Sequence, residues 1–212
     1  FLSYLTVRTG LALFTSFSFI LFFGPFLITQ ISKYQTHGQP IRDDGPEGHL
    51  IAKKGTPTMG GIIILISIVG SILLWVNPES FISFPIIFIL ISFGLVGFID
   101  DFYKVRSNTS NGISAKLRIT LQIIITLIFI YWISNYHSID IKLLSLPILK
   151  DAFINLGLFG IPFTLIVVLG SANAVNLTDG LDGLAIVPVM IVAATFAAVS
   201  YTHLTLPTIY SV

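Results

Sequence analysis

The sequence predicts an all-α fold, a polytopic membrane helix bundle with about six transmembrane helices present, and three observations predict it. Hydrophobic residues make up 54% of the 212 and charged residues 10%, a balance far more apolar than that of soluble domains. The apolar residues fall into long runs parted by polar segments rich in turn formers. Lysine and arginine collect in alternate polar segments, as they do in loops on the inner side of a membrane.

The elements follow in order. Leu11 to Ile31 is the first span, with Gly24-Pro25 inside it as an expected kink. Ser32 to Met59 is a polar loop carrying Lys33, Arg42, Lys53 and Lys54 among Asp43, Asp44 and Glu47, punctuated by Pro40, Pro46 and Pro57. Gly60 to Val76 is the second span, Asn77 to Ser80 a short turn, and Phe84 to Ile99 the third span, after which Asp100 and Asp101 open the next loop. Lys104 to Arg118 holds four basic residues and an Asn111-Gly112 turn signal, and Ile119 to Ile133 is the fourth span, with Tyr131 and Trp132 at its interfacial end. Ser134 to Leu156 is extracytoplasmic, and its Ile139 to Leu149 stretch forms either a short hairpin or an interfacial segment. Leu158 to Leu169 and Ala185 to Val199 are the fifth and sixth spans, bent by Pro162 and Pro188 and joined by the loop Gly170 to Leu184.

Orientation follows from the basic residues. Lys33, Arg42, Lys53, Lys54, Lys104, Arg106, Lys116 and Arg118 are eight of the eleven, and they place their two loops in the cytoplasm; only Arg8, Lys142 and Lys150 lie opposite. By alternation the Gly170 to Leu184 loop is cytoplasmic too. A net charge of +1 without a basic run gives no reason to expect a nucleic-acid polymer as partner. The absence of cysteine excludes disulfides and thiolate metal sites. Neither an internal repeat nor a low-complexity segment is present.

The chemistry gathers on the cytoplasmic side. A charge at mid-bilayer costs roughly 2.5 to 3.5 kcal/mol, so paired aspartates at the very end of an apolar run suggest a site at the membrane surface. As a helix C-terminal cap they are poorly chosen, because they face the negative end of the helix dipole, which favours a functional role over a solvated terminus. Lys104, one turn beyond Asp100, is placed for an ion pair. Asn173, Asn176, Asp179 and Asp182 form a second polar cluster, whose last three share one face if helical; an Asx and glycine turn is the plainer reading. Carboxylates and amides without cysteine suit a hard ion such as Mg²⁺. Ser114 is an expected N-cap, and Lys116 and Arg118 in the turn after it oppose the helix dipole, which makes either an anion site or ordinary cytoplasmic positive charge. His37, His49 and His137 have no ligand spacing. Acids for a cation and lysines for phosphate at one membrane surface are what phosphoryl transfer from a soluble nucleotide to a lipid phosphate requires.

Several segments carry a resemblance: Pro40-Ile41-Arg42-Asp43-Asp44-Gly45-Pro46-Glu47, Lys53-Lys54-Gly55-Thr56-Pro57-Thr58-Met59-Gly60-Gly61, Phe98-Ile99-Asp100-Asp101, Ser114-Ala115-Lys116 and the run from Asn173 to Gly183. Together, over about Tyr4 to Val199, they resemble the phospho-N-acetylmuramoyl-pentapeptide transferase family, within the polyprenyl-phosphate sugar-1-phosphate transferase superfamily. The resemblance implies an Mg²⁺-dependent enzyme of the bacterial inner membrane. Such an enzyme joins UDP-N-acetylmuramoyl-pentapeptide to undecaprenyl phosphate on the cytoplasmic face, giving lipid I and UMP, and is compatible with a homodimer. By resemblance Asp100, Asp101 and Asp182 are catalytic, with Asp100 and Asp101 also metal-associated. Lys53, Thr58, Lys104, Lys116, Asn176 and Asp179 are implied to bind substrate.

The sequence departs from the family twice. About ten spans are usual there, with a further essential aspartate and a histidine-rich motif in the later part, and neither is present. The chain, which starts at Phe1 rather than Met, therefore reads as a fragment, residues 1–199 forming the N-terminal part of one domain, inactive alone. Residues 200–212 abandon the family pattern and read as a foreign or misread tail, so His203 is not counted as the missing histidine motif. Two other readings remain: a transferase of N-acetylhexosamine 1-phosphate from another UDP-sugar, and a transporter or proton channel using the four aspartates as a relay.

Overall fold

Long apolar runs without intervening charge have no option in a bilayer except to satisfy their backbone internally, and here they do so as helices. The computed structural model describes residues 4–35, 58–77, 80, 82–109, 112–135, 140–145, 153–179 and 184–209, with side chains described as far as 202. The α-helices are α1 (Leu5–Tyr34), α2 (Gly61–Trp75), α3 (Ser83–Ser107), α4 (Ala115–Ser134), α5 (Gly160–Thr178) and α6 (Ile186–Ile209). Of the helical segments, α1, α3, α4 and Gly157–Thr178 are long and apolar enough to cross a membrane; α2 and Ile186–Thr202 are apolar but shorter. The protein is thus an all-α, multi-pass membrane chain. Between α4 and α5, β1 (Leu143–Ser145) pairs antiparallel with β2 (Phe153–Asn155), Leu144 opposite Ile154, so the Ile139 to Leu149 stretch contributes a hairpin strand.

The chain divides into two units, Phe1–Ile161 and Pro162–Val212. In the first, α1 and α2 pack antiparallel through a ladder that advances four residues at a time. Ser16 and Ser67 hydroxyls meet at 2.7 Å, Ser71 Oγ donates to Ala12 O at 2.7 Å, and Arg8 Nε donates to Trp75 O at 2.6 Å. Small hydroxyl residues suit this seam, because lipid supplies no hydrophobic drive between helices and close approach with hydrogen bonds must take its place. Gly94 of α3 lies against Leu65 of α2, where an added Cβ would come within 2.7 Å of Leu65 Cδ2. Between α3 and α4, Phe88 and Trp132 rings lie 5.9 Å apart, and Gln122, Thr126 and Ile130 are buried at four-residue intervals.

Several boundaries differ from expectation. The third helix does not stop at Ile99 but continues eight residues to Ser107, so Asp100 and Asp101 lie within it rather than opening a loop. Its true end is a left-handed Asn108, φ 51°, where Thr109 N–H donates to Lys104 O at 3.2 Å and Lys104 and Arg106 lie in the last turn. Cations there complement the dipole, and asparagine is the residue next to glycine in tolerating that conformation. Pro162 and Pro188, expected to bend their spans, are each the third residue of α5 and α6, where a proline ring removes no intrahelical hydrogen bond. Finally, α5 runs on to Thr178, making Asn173 and Asn176 helical. α6 passes Ser200 without a break and ends at Ile209.

Candidate functional site

The antiparallel packing brings the end of α1, the entry to α2, the end of α3 and the entry to α4 to one end of the first unit. A run of side-chain contacts joins all four. At its centre, Lys104 Nζ lies 2.6 Å from Asp100 Oδ2 and 3.2 Å from Asp101 Oδ1, the expected one-turn pairing.

The two aspartates are held differently. Asp100 turns toward the α4 entry, where its Oδ1 accepts the Ile113 N–H at 2.9 Å; its side chain is 12% exposed. Gly112 makes this seat possible, since a Cβ there would lie 2.6 Å from Asp100 Cγ. Asp101 turns toward the α2 entry, and its side chain is 33% exposed. Its Oδ2 accepts the Thr58 hydroxyl at 3.3 Å, a long contact. Thr58 is in turn gripped by Gln35, the residue capping α1: Gln35 Oε1 accepts Thr58 N–H at 2.8 Å and Gln35 Nε2 donates to Thr58 O at 3.2 Å. The next residue, Met59, has φ 72°, a turn that a non-glycine residue adopts at a cost of order 1 kcal/mol.

Across the entry to α4, Ser114 caps the helix as expected, accepting Leu117 N–H at 3.3 Å. Lys116 is exposed and makes no polar side-chain contact among the described residues. Arg118 Nε is buried without a hydrogen-bond partner there. The described part of this helix start therefore leaves its cations uncompensated, which is the condition for holding an anion.

Thr58, Asp100, Asp101 and Lys104 are thus brought together, and Lys116 stands in the first turn of the adjoining helix. Asn176 and Asp179 belong to the second unit, both exposed; the helix ends at Thr178, so Asp179 falls one residue beyond the shared face. Lys53 and Asp182 lie outside the described residues, as do His37 and His49. Among the described residues no three acids or histidines gather as metal ligands. Gln35 and Gly112 were not singled out from sequence as site residues. Gly112 carried a signal, read only as a turn; Gln35 carried none.

A family model described as Glycosyl transferase family 4 matches residues 83–211, and a phospho-N-acetylmuramoyl-pentapeptide-transferase signature 1 matches residues 53–65. Proteins named phospho-N-acetylmuramoyl-pentapeptide-transferase are similar along nearly the whole chain. That of Ruegeria pomeroyi is 46% identical over 199 residues, covering 93% of this chain and 55% of the relative. Those of Bartonella quintana and Dinoroseobacter shibae are 46% and 47% identical, covering 93% of this chain and 54% and 55% of their own lengths. The chain spans about half the length of these relatives. The acid pair and its lysine fall inside the family match and Thr58 inside the signature, and on this agreement the chain belongs to glycosyl transferase family 4.

Proposed function

We propose that the complete open reading frame carrying this sequence encodes a phosphoglycosyl transferase. It moves phospho-N-acetylmuramoyl-pentapeptide from its UDP carrier to undecaprenyl phosphate, giving lipid I and UMP in peptidoglycan synthesis. The observation that carries the reading is the cluster Asp100–Lys104–Asp101, joined to Thr58 at one end of the bundle. An oxygen of the lipid phosphate attacks the sugar-linked phosphorus of the nucleotide; a new P–O bond forms, the pyrophosphate P–O bond breaks, and UMP departs with the electron pair.

Such transfer needs little covalent help from protein and much charge balance and alignment. Lys104 and Lys116 neutralise phosphate oxygens, and Asp101, the more accessible acid, serves as base for that attack, with Asp100 behind it. Lys53 and Thr58 add substrate contacts, and by resemblance Asn176 and Asp179 of the second unit bind substrate and Asp182 is a further catalytic acid. Mg²⁺ fits the donor set, because it is held through one or two carboxylates with water and substrate phosphate supplying its other oxygens. Asp100 and Asp101 would hold it, and it would neutralise charge on the pyrophosphate.

The site faces the cytoplasm of a bacterial inner membrane, in a homodimer. The eight basic residues on that side support this orientation. A chain without cysteine allows single cysteines to report it: one at Asn108 should react with an impermeant maleimide only from the cytoplasmic side, one at Asp140 only from outside. The activity test supplies membranes carrying the complete protein with undecaprenyl phosphate, Mg²⁺ and labelled UDP-N-acetylmuramoyl-pentapeptide. Lipid-linked product and UMP in equal amounts support the reading. Product only from a UDP-N-acetylhexosamine would reassign the substrate, and ion flux without UMP would replace the reaction by transport.

A further inference from the structure

We infer that Gln35 is a positioning residue for Asp101, acting through Thr58; the inference rests on the proposed transferase reading, in which Asp101 works at the reacting phosphates. Gln35 is 8% exposed and sits where α1 ends, far from Asp101 in sequence and without contact to it. Its carboxamide takes Thr58 by both sides of the residue's backbone, accepting the N–H at 2.8 Å and donating to the carbonyl at 3.2 Å. The two bonds run in opposite senses, so they fix the rotation of the amide as well as its place. A residue held at both its N–H and its C=O has little freedom left, and the side chain it presents is fixed with it.

That side chain is the Thr58 hydroxyl, which donates to Asp101 Oδ2, while Lys104 holds Oδ1. Asp101 is therefore gripped from two elements: its own helix through Lys104, and the α2 entry through Thr58. Lys104 alone would leave the carboxylate able to swing, because both lie on one helix and move together. Thr58 supplies the reference outside that helix, and Gln35 keeps Thr58 in place. Met59, turned to φ 72° immediately after Thr58, has a conformation that such a hold would have to maintain against its cost.

A group that positions a reacting side chain acts on turnover more than on substrate binding, and two groups acting through one path do not add. The test uses the complete protein in membranes. Gln35→Met, which keeps length and loses both bonds, should lower kcat about tenfold with KM for the nucleotide substrate within about twofold. Thr58→Val should lower kcat at least as far and, because the same hydroxyl is assigned a substrate contact, raise KM as well, and kcat of the double variant should fall no further than that of the worse single one. Gln35→Asn, shorter but still polar, stands in if Gln35→Met does not accumulate. Unchanged kcat in the Gln35 variants, or losses that multiply in the double variant, would overturn the inference. Should the unsubstituted protein show no transfer, the activity reading fails first, and amide hydrogen exchange of this 212-residue chain in nanodiscs judges the wiring. Gln35→Met must then speed exchange at position 58 about tenfold while Thr58→Val does not, a difference matching one lost hydrogen bond; equal exchange in all three proteins overturns it.

Discussion

Replacing Gly112 by alanine is expected to damage the site more than any other single added methyl group there. The new Cβ would lie 2.6 Å from Asp100 Cγ and 2.8 Å from Asp100 Oδ2. Ordinary carbon contact begins near 3.5 Å, so loop or carboxylate must retreat by about 0.9 Å. If the loop retreats along the Ile113 N–H bond, its 2.9 Å length opens to about 3.8 Å and the bond is gone. If the carboxylate retreats, the 2.6 Å contact with Lys104 is lost instead. Either way a hydrogen bond to a charged, mostly buried acceptor disappears, worth about 1.5 to 3 kcal/mol. A displacement near 1 Å in a reacting constellation costs on the order of 100-fold in rate. The assay pairs lipid-linked product formation by the complete protein with thermal unfolding of this chain in detergent. Gly112→Ala should lose most turnover and several degrees of unfolding temperature. Wild-type values in both would show that Asp100 is not seated against this loop.

Five further substitutions separate the parts. Asp100→Asn and Asp101→Asn should each cut turnover at least tenfold, but only Asp100→Asn should also lower unfolding temperature clearly, since Asp100 is the more buried member and makes the shorter bonds, 2.6 Å to Lys104 and 2.9 Å to Ile113 N–H; initial rates and unfolding curves in parallel decide this. Lys116→Ala should raise KM for the anionic substrates with little change in stability, because the side chain is exposed and makes no polar contact among the described residues; unchanged KM and kcat would count against the anion role. Ser67→Leu, at a position 3% exposed, should cost about 1 to 3 kcal/mol by overpacking the α1–α2 seam, whereas Ser67→Ala should cost under about 1 kcal/mol. Denaturant unfolding in mixed micelles measures both.

The helices were legible because each apolar run is long, and length alone forces backbone pairing in lipid. Their ends were harder. Hydropathy stops at Ile99, but hydrogen bonding does not, and a helix can leave the apolar layer with Asp100, Lys104 and Arg106 on its emerging turns. The aspartates are therefore not misplaced caps, since the helix terminus lies two turns later and carries cations. The i to i+4 pairing of Asp100 with Lys104 and the Ser114 cap were legible because both follow from local periodicity. The Gln35–Thr58 contact crosses 23 residues and the Gly112–Asp100 contact depends on how two helices pack, so neither has a local signature.

The placement of the acids inside a helix changes what the pair is. Consecutive helical residues point about 100° apart, so adjacent aspartates turn toward different neighbouring helices. Here Asp100 faces the α4 entry and Asp101 the α2 entry, and Lys104, three and four residues on, lies between them. In a loop the two carboxylates would take whatever spacing an incoming group imposed. On a helix their separation is set before anything binds, which lowers the ordering cost at the moment of reaction. The same geometry gives Lys104 two bonds of unequal length, 2.6 Å to Asp100 and 3.2 Å to Asp101. A phosphate competing for the ammonium would therefore take it first from Asp101. The acid so released is the one-third exposed member of the pair, and its remaining hydrogen-bond partner among the described residues is the hydroxyl of Thr58, whose backbone Gln35 holds. On the proposed transferase reading, substrate arrival and the freeing of Asp101 would be one event, while Asp100 stays anchored to the loop that begins α4.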